Sequence, residues 1–218
     1  MAQIFPPRSN TLSKLSILLV VLVVVGGGFI AAIIFRSPYF TNVGDSIEQP
    51  VPFSHQHHVA GLGIDCRYCH TSVETSSFAG VPPTSTCMTC HSQVWNTSPM
   101  LAAVRESFQT NTALHWNRVN ALPDFVYFNH SIHVRQGIGC VTCHGQVDQM
   151  PLMRKENSLY MEWCLNCHRA PEKQIRPRSE VFDLNYKQPA NQEQVGLRLV
   201  KEYKVRTKQL TDCSICHR

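Results

Sequence analysis

A chain of 218 residues with a formal charge of +5, ten cysteines and eleven histidines is long enough for one domain, or one domain in two lobes. Its basic residues form no run interleaved with aromatics, which excludes a nucleic-acid surface of the usual kind. Thirteen prolines, eleven glycines and modest apolar content beyond the N-terminus exclude a large conventional core.

Residues 1–14 carry Arg8 and Lys14 and no acid. Leu15 to Phe35 is an uncharged run of twenty-one residues, about 31 Å as a helix against a bilayer core of roughly 30 Å, so residues 15–35 are expected to anchor the chain in a membrane. A cleaved signal peptide has a shorter apolar stretch, about 7–15 residues, ending at a small-residue site. Here Ala31-Ala32 is followed by Ile33-Ile34-Phe35-Arg36, a poor cleavage context. Gly26-Gly27-Gly28 gives up helix propensity but leaves a flat face where another helix can approach. Basic residues before the span place the N-terminus in the cytoplasm and the rest of the chain outside. Residues 36–51, with Pro38, Gly44 and Pro50, read as a tether along the membrane surface.

The pattern C-x-x-C-H then occurs five times: Cys66, Cys69 and His70; Cys87, Cys90 and His91; Cys140, Cys143 and His144; Cys164, Cys167 and His168; Cys213, Cys216 and His217. Shuffling this composition would give roughly 0.02 copies. In this pattern two thiols three apart bond the vinyl groups of a haem, and the adjacent imidazole reaches the iron from one side. A zinc site has no need of a His directly after each second Cys, and a thioredoxin-like dithiol occurs once. Every cysteine lies in a copy, leaving none for a disulfide. The reading is five covalent haem c groups, with His70, His91, His144, His168 and His217 as proximal ligands. Haem attachment of this kind belongs to the periplasmic side of a bacterial cytoplasmic membrane. The macrocycles themselves are expected to form the core, and many Lys and Arg to neutralise their propionates.

An internal repeat frames the motifs. Phe53-Ser-His55-x-x-His58-Val59 leads through Gly63-Ile64-Asp65 to Cys66, and Phe128-Asn-His130-x-x-His133-Val134 leads through Gly137-Ile138-Gly139 to Cys140, one residue shorter. Residues 52–127 and 128–170 thus read as two dihaem units. The repeat singles out His55, His58, His130 and His133 as distal ligands, since His57 aligns with Ile132. Imidazoles at i and i+3 share a helical face, and an iron with its proximal His accepts only one more, so the members of each pair must serve different haems. The fifth distal ligand stays open among Met161, Met153, Met150, Met100, His115 and His57, with Met161 or Met153 ahead of His115. A Met ligand would lift that haem's potential above its bis-His neighbours.

Short helices are expected at each motif, with Asp65, Thr86 and Asp212 as candidate N-caps, and another near Pro99–Phe108 before a Leu122-Pro123-Asp124 turn. Residues 171–218 read as an arm extended by Pro171, Pro177 and Pro189, a helix with Val195, Leu199, Val200 and Tyr203 on one face, and the fifth haem site. The fold class is a multihaem cytochrome c, mostly irregular with short α-helices around five haems, plus one N-terminal transmembrane helix.

Over residues 38–170 the wording is more specific. The single span, Pro52-Phe-Ser-His-Gln-His-His-Val, Gly63-Ile-Asp-Cys-Arg-Tyr-Cys-His, Pro82-Pro-Thr-Ser-Thr-Cys-Met-Thr-Cys-His, Val126-Tyr-Phe-Asn-His-Ser-Ile-His and Leu159-Tyr-Met-Glu-Trp-Cys-Leu-Asn-Cys-His resemble the pentahaem cytochrome c subunit of bacterial alternative complex III, a quinol:electron acceptor oxidoreductase. The tail matches only by its fifth motif. Where that family's pattern has a His before the Leu-Pro-Asp turn, this chain has Asn120, with His115 five residues earlier. The resemblance implies an electron-transfer role with no catalytic residues in this chain. It also implies an NrfD-like integral quinol-oxidising subunit, an iron–sulfur subunit resembling molybdopterin oxidoreductases, and a monohaem cytochrome c or terminal oxidase as acceptor. The alternatives are a stand-alone quinol dehydrogenase like the NapC/NrfH group, and a multihaem reductase with one open iron.

Overall fold

The computed structural model describes residues 4–217 and divides into two compact units, one ending at Val43 and one beginning at Gly44. In the first unit, α1 (Arg8–Arg36) starts ahead of the apolar run and none of its residues is buried. It is long and apolar enough to cross a membrane. Its last turn closes through Ser37, whose N–H donates to the Ile34 carbonyl at 3.0 Å, before Pro38 opens the four-residue α2 (Pro38–Thr41).

The second unit is built from short helices joined by irregular chain: α3 (Cys66–Cys69), α4 (Thr84–His91), α5 (Ala102–Thr110), α6 (His130–Arg135), α7 (Cys140–His144), α8 (Met161–Arg169), α9 (Gln192–Glu202) and α10 (Cys213–Cys216). Each attachment motif forms or ends a helix, because i to i+4 closure is what brings two thiols three apart onto one face. Among the described residues there is no strand, only isolated bridges at Ser46–Arg154, Val126–His217 and Ile138–Ile175. Of the segment 36–51, residues from Gly44 onward are bound to this unit. The Gly44 N–H donates to the Lys155 carbonyl at 2.8 Å, and Gln49 exchanges hydrogen bonds with the Asn117 backbone at 2.8 and 2.9 Å.

The two repeats differ by one residue, and the structure shows where it goes. His130 to Arg135 is ordinary α-helix, whereas Gln56–Gly61 is wound as a π-helix. A π-turn accommodates one extra residue without breaking the helix, and such turns recur at functional positions. The exits then coincide: the Ile64 N–H donates to the His58 carbonyl at 3.1 Å, as the Ile138 N–H does to the His133 carbonyl at 3.0 Å. The repeats also dock on one another reciprocally. The Gln56 N–H donates to the Met150 carbonyl and the Ser131 N–H to the Ser76 carbonyl, each at 3.1 Å.

Three expectations are corrected. The segment after Pro171 is not an extended arm. Ile175, Val181 and Leu184 are buried, and the chain folds back against the third motif through Arg176 N–H to the Gly137 carbonyl (2.9 Å) and Cys140 N–H to the Val181 carbonyl (3.1 Å). Burial of these apolar side chains outweighs the extended bias of the prolines. Thr86 lies inside α4, which starts a turn earlier because Pro83 sets an extended entry. Asp212 occupies the N-cap position of α10 without bonding it, whereas the Asp65 carboxylate does accept the Arg67 N–H at 2.8 Å. The apolar core is small: eight side chains among the described residues, Val51, Val73, Val104, Met150, Ile175, Val181, Leu184 and Leu199.

Candidate metal centres

Each histidine pair sits in the same local frame. Phe53 stacks on His58 (ring centres 4.4 Å apart, 21°) and meets His55 edge-on (4.9 Å, 85°). Phe128 does the same to His133 (4.4 Å, 24°) and His130 (4.7 Å, 88°). The residue after each Phe caps the turn: the Ser54 hydroxyl accepts the His57 N–H at 3.1 Å, and the Asn129 carboxamide oxygen accepts the Ile132 N–H at 3.2 Å.

The imidazoles are aimed through their Nδ1 atoms. Nδ1–H donates to a main-chain carbonyl in His58 (Ser54, 2.7 Å), His70 (Gly80, 2.7 Å), His91 (Val94, 3.0 Å) and His130 (Ser77, 2.9 Å). The same holds for His133 (Asn129, 2.8 Å), His168 (Leu210, 2.8 Å) and His217 (Phe125, 3.2 Å). A carbonyl only accepts, so in the neutral ring the proton sits on Nδ1 and the lone pair on Nε2 is left for a metal. Gly80 presents its carbonyl from a left-handed conformation (φ +85°) in which a Cβ would press on the Ser72 hydroxyl. His55 and His144 are the exceptions. The His55 Nδ1 is buried without a partner, and the His144 Nδ1 lies 3.1 Å from Nδ2 of Asn120, whose Oδ1 is also buried without a partner. Turned over, the Asn120 amide would present Oδ1 to the His144 Nδ1–H, giving His144 the same tautomer as the seven tethered rings.

The rings come in twos. Ring centres are 6.2 Å apart for His58 and His91, 6.4 Å for His130 and His144, and 6.2 Å for His133 and His168. Two imidazoles on opposite sides of one metal ion, each bonded at about 2 Å, hold their centres roughly 6 Å apart. His55 has His70 as its foremost electrostatic neighbour. Among the described residues no three His, Cys, Asp or Glu side chains converge as a zinc site requires. Burial, with His70, His58 and His144 close by, pushes His55 down to about 4. Burial, with His130 and His70, does the same to His144, also to about 4, and burial lowers His133. Ligation needs neutral imidazole, and these sites keep it neutral.

Eight of the ten thiols are shifted away from activation. Burial pushes Cys140 up to about 11 and Cys143 to about 12, and raises Cys66, Cys69, Cys87, Cys164, Cys167 and Cys216. A redox dithiol or nucleophile needs the opposite shift. The same thiols fix which motifs are neighbours: Cys69 is within electrostatic reach of Cys87, Cys66 of Cys140, Cys143 of Cys167 and Cys164, and Cys164 of Cys216. The first motif therefore neighbours the second and the third, the third neighbours the fourth, and the fourth neighbours the fifth. Large apolar side chains stand exposed beside them, Tyr68 (49 %), Trp95 (58 %) and Phe125 (63 %) among them, the surface a flat macrocycle covers. Cysteine pairs, paired imidazoles and apolar walls together fit haem.

The remaining candidates are scattered. His57 is exposed and stacks on Trp95 at 5.9 Å, His115 is exposed, Met100 and Met161 are exposed, Met153 is half-buried and Met150 is fully buried. The ring against His217 is that of Phe125 (5.8 Å, 25°). Asn120 and the carbonyls of Gly80, Ser77, Val94 and Leu210 were not foreseen as site residues. Only the repeated Ser54 and Asn129, each directly after the Phe, carried a readable signal.

Residues 126–218 match the family described as cytochrome c7 and related cytochrome c. Over 98 residues the chain is 40% identical to the menaquinone reductase, multihaem cytochrome c subunit, of Nitratidesulfovibrio vulgaris, a match covering 44% of this chain and 46% of that protein. The chain thus spans about half the length of this curated relative. Over these stretches the chain is similar to multihaem cytochromes c, and its described residues are helical and irregular with one N-terminal apolar helix.

Proposed function

We propose that the chain is a membrane-anchored pentahaem relay that carries electrons for a quinone-linked membrane complex. The observation that carries this is the set of paired imidazoles with ring centres 6.2–6.4 Å apart beside C-x-x-C-H helices. On this reading His55 and His70, His58 and His91, His130 and His144, and His133 and His168 are axial pairs, and the ten cysteines hold the groups covalently. Haem so ligated supplies one-electron exchange. Each i, i+3 histidine pair ties two neighbouring centres to one turn of backbone. The adjacency of the thiols orders the relay second, first, third, fourth, fifth motif.

For His217 we favour Met161 as the distal partner, ahead of Met153 and His115. Met161 opens α8 three residues before Cys164, whose thiol is a neighbour of Cys216. α1 is the anchor in the bacterial cytoplasmic membrane, with residues 1–14 inside and the haem region on the periplasmic side.

The partners we infer are an NrfD-like integral subunit that reacts with quinol, an iron–sulfur subunit between it and this chain, and a monohaem cytochrome c or terminal oxidase beyond. A second reading runs the same relay towards quinone, and the relative named menaquinone reductase favours it. In both, this chain moves electrons and binds no substrate at iron. The test is a pyridine haemochrome assay with EPR on the full chain matured in a host that attaches haem c. Five covalent haems per polypeptide, all low-spin, are expected. Fewer than five, or a high-spin ferric signal that binds CO on reduction, overturns the reading.

A further inference from the structure

Arg176 is buried, only 4% exposed, where an arginine is costly to keep. Its guanidinium lies against the backbone of Gly139, the residue before Cys140, so closely that a Cβ there would overlap it. Among the described residues no carboxylate forms a direct ion pair with it, although Asp183 and Glu180 lie within electrostatic reach. Nη1 donates to the Asp183 carbonyl at 3.2 Å and, at the limit, to the Glu180 carbonyl at 3.5 Å. The Tyr186 ring lies 4.7 Å from Cζ, and Nε is buried without a partner. The two nearby carboxylates accept from neutral donors, Glu180 from the Ser179 hydroxyl at 2.9 Å and Asp183 from the Asn185 N–H at 2.8 Å, and act on the guanidinium only at a distance. A guanidinium cannot shed its proton in a protein, so a fixed positive charge stands beside the third attachment motif.

The first repeat is built the other way. Its residue before the motif is Asp65, ion-paired with Arg67 at 2.8 Å, and both side chains are about half exposed (48% and 49%). That pair is neutral in sum and screened by water.

We propose that Arg176 is a potential-setting residue: its buried charge raises the electron affinity of the haem held by Cys140, Cys143, His130 and His144 above that of the haem held by Cys66, Cys69, His55 and His70. This rests on the ligand reading of the preceding section. One electron leaves a ferrous centre, which becomes ferric, and reduces its ferric neighbour to ferrous. Arg176 lies beside the accepting centre and stabilises the added negative charge there through a medium of low dielectric. No atom or proton is transferred.

The experiment uses the full-length haem-loaded protein. Peptide mapping first locates haem on Cys140 and Cys143, and its absence there sinks the ligand reading and this inference together, before any potential is measured. Redox titration followed by EPR, and by NMR with haem substituents assigned to their cysteines, is then compared in wild type, Arg176→Lys and Arg176→Gln. We expect Arg176→Gln to lower the midpoint of the Cys140–Cys143 haem alone, with haem content unchanged, and Arg176→Lys to restore most of the shift. No shift in Arg176→Gln, or an equal one in Arg176→Lys, overturns the proposal. Should Arg176→Gln not mature, wild type decides: the Cys140–Cys143 haem is reduced before the Cys66–Cys69 haem if the proposal holds, and after it if it fails.

Discussion

The regions on either side of Phe125 hold their histidines in nearly superimposable frames and are embedded quite differently. Before it, the buried apolar side chains are Val51, Val73 and Val104; after it, Met150, Ile175, Val181, Leu184 and Leu199, with Arg176 among them. The Phe-on-His stacking, the caps and the Nδ1 tethers of the second His of each pair nonetheless agree to within about a tenth of an ångström. Histidine geometry is therefore a local product of a turn with a few hydrogen bonds, while packing is free to vary around it. The first region buries few apolar side chains, and the second has a larger polypeptide core of its own.

The sharpest way to break that contrast is to remove core from each region. Met150→Ala should cost roughly 2–5 kcal/mol, since Met150 is wholly buried. Val73→Ala deletes less from a thinner setting and should cost about 2 kcal/mol. Guanidinium unfolding of the haem-loaded protein, followed at the Soret band, compares them, and equal losses would erase the distinction. Next in size is Gly196→Ala. A Cβ there would overlap the Glu172 carbonyl on which α9 rests, so about 1–3 kcal/mol is expected. Gly61→Ala, whose nearest contact would be 3.7 Å away, should stay within about 0.5 kcal/mol.

A pH-dependent effect concerns the first region's exposed charge pair. The side-chain hydrogen bond from Arg67 holds the Asp65 carboxyl down to about 2, below its ordinary value of 3.8. A carboxyl depressed in the folded state contributes stability above the unfolded value and loses it as pH falls through the folded one. Asp65→Ala, which also removes the cap, should cost about 1 kcal/mol at pH 7. The gap to wild type should narrow from about pH 4 down to pH 2, and unfolding midpoints across that range check it. A gap that stays constant with pH would mean the capping bond alone matters.

The attachment helices and the repeat were legible because covalent chemistry fixes residue spacing, and spacing survives in one dimension. The one-residue offset between repeats was legible too, but not its resolution, since a π-turn at Gln56–Gly61 and a longer loop leave the same trace in sequence. The ring pairs were not. Which imidazole faces which depends on residues up to 35 positions apart, as with His133 and His168. Residues 171–190 misled because three prolines read as an extended stretch, while Ile175, Val181 and Leu184 follow neither a helical nor a strand period. Asn120 and Arg176 gave no local signal, because each acts through a contact at least 24 positions away or on a backbone it does not adjoin.

Seven of the Nδ1 tethers end on main-chain oxygens. A point mutation can replace a side chain but cannot delete a peptide carbonyl. The aim of those seven rings is therefore inherited from the path of the chain, and Ser77, Val94 or Leu210 can drift in identity at little risk. Asn120, a side chain doing a backbone's task for His144, is the place where such drift would be felt.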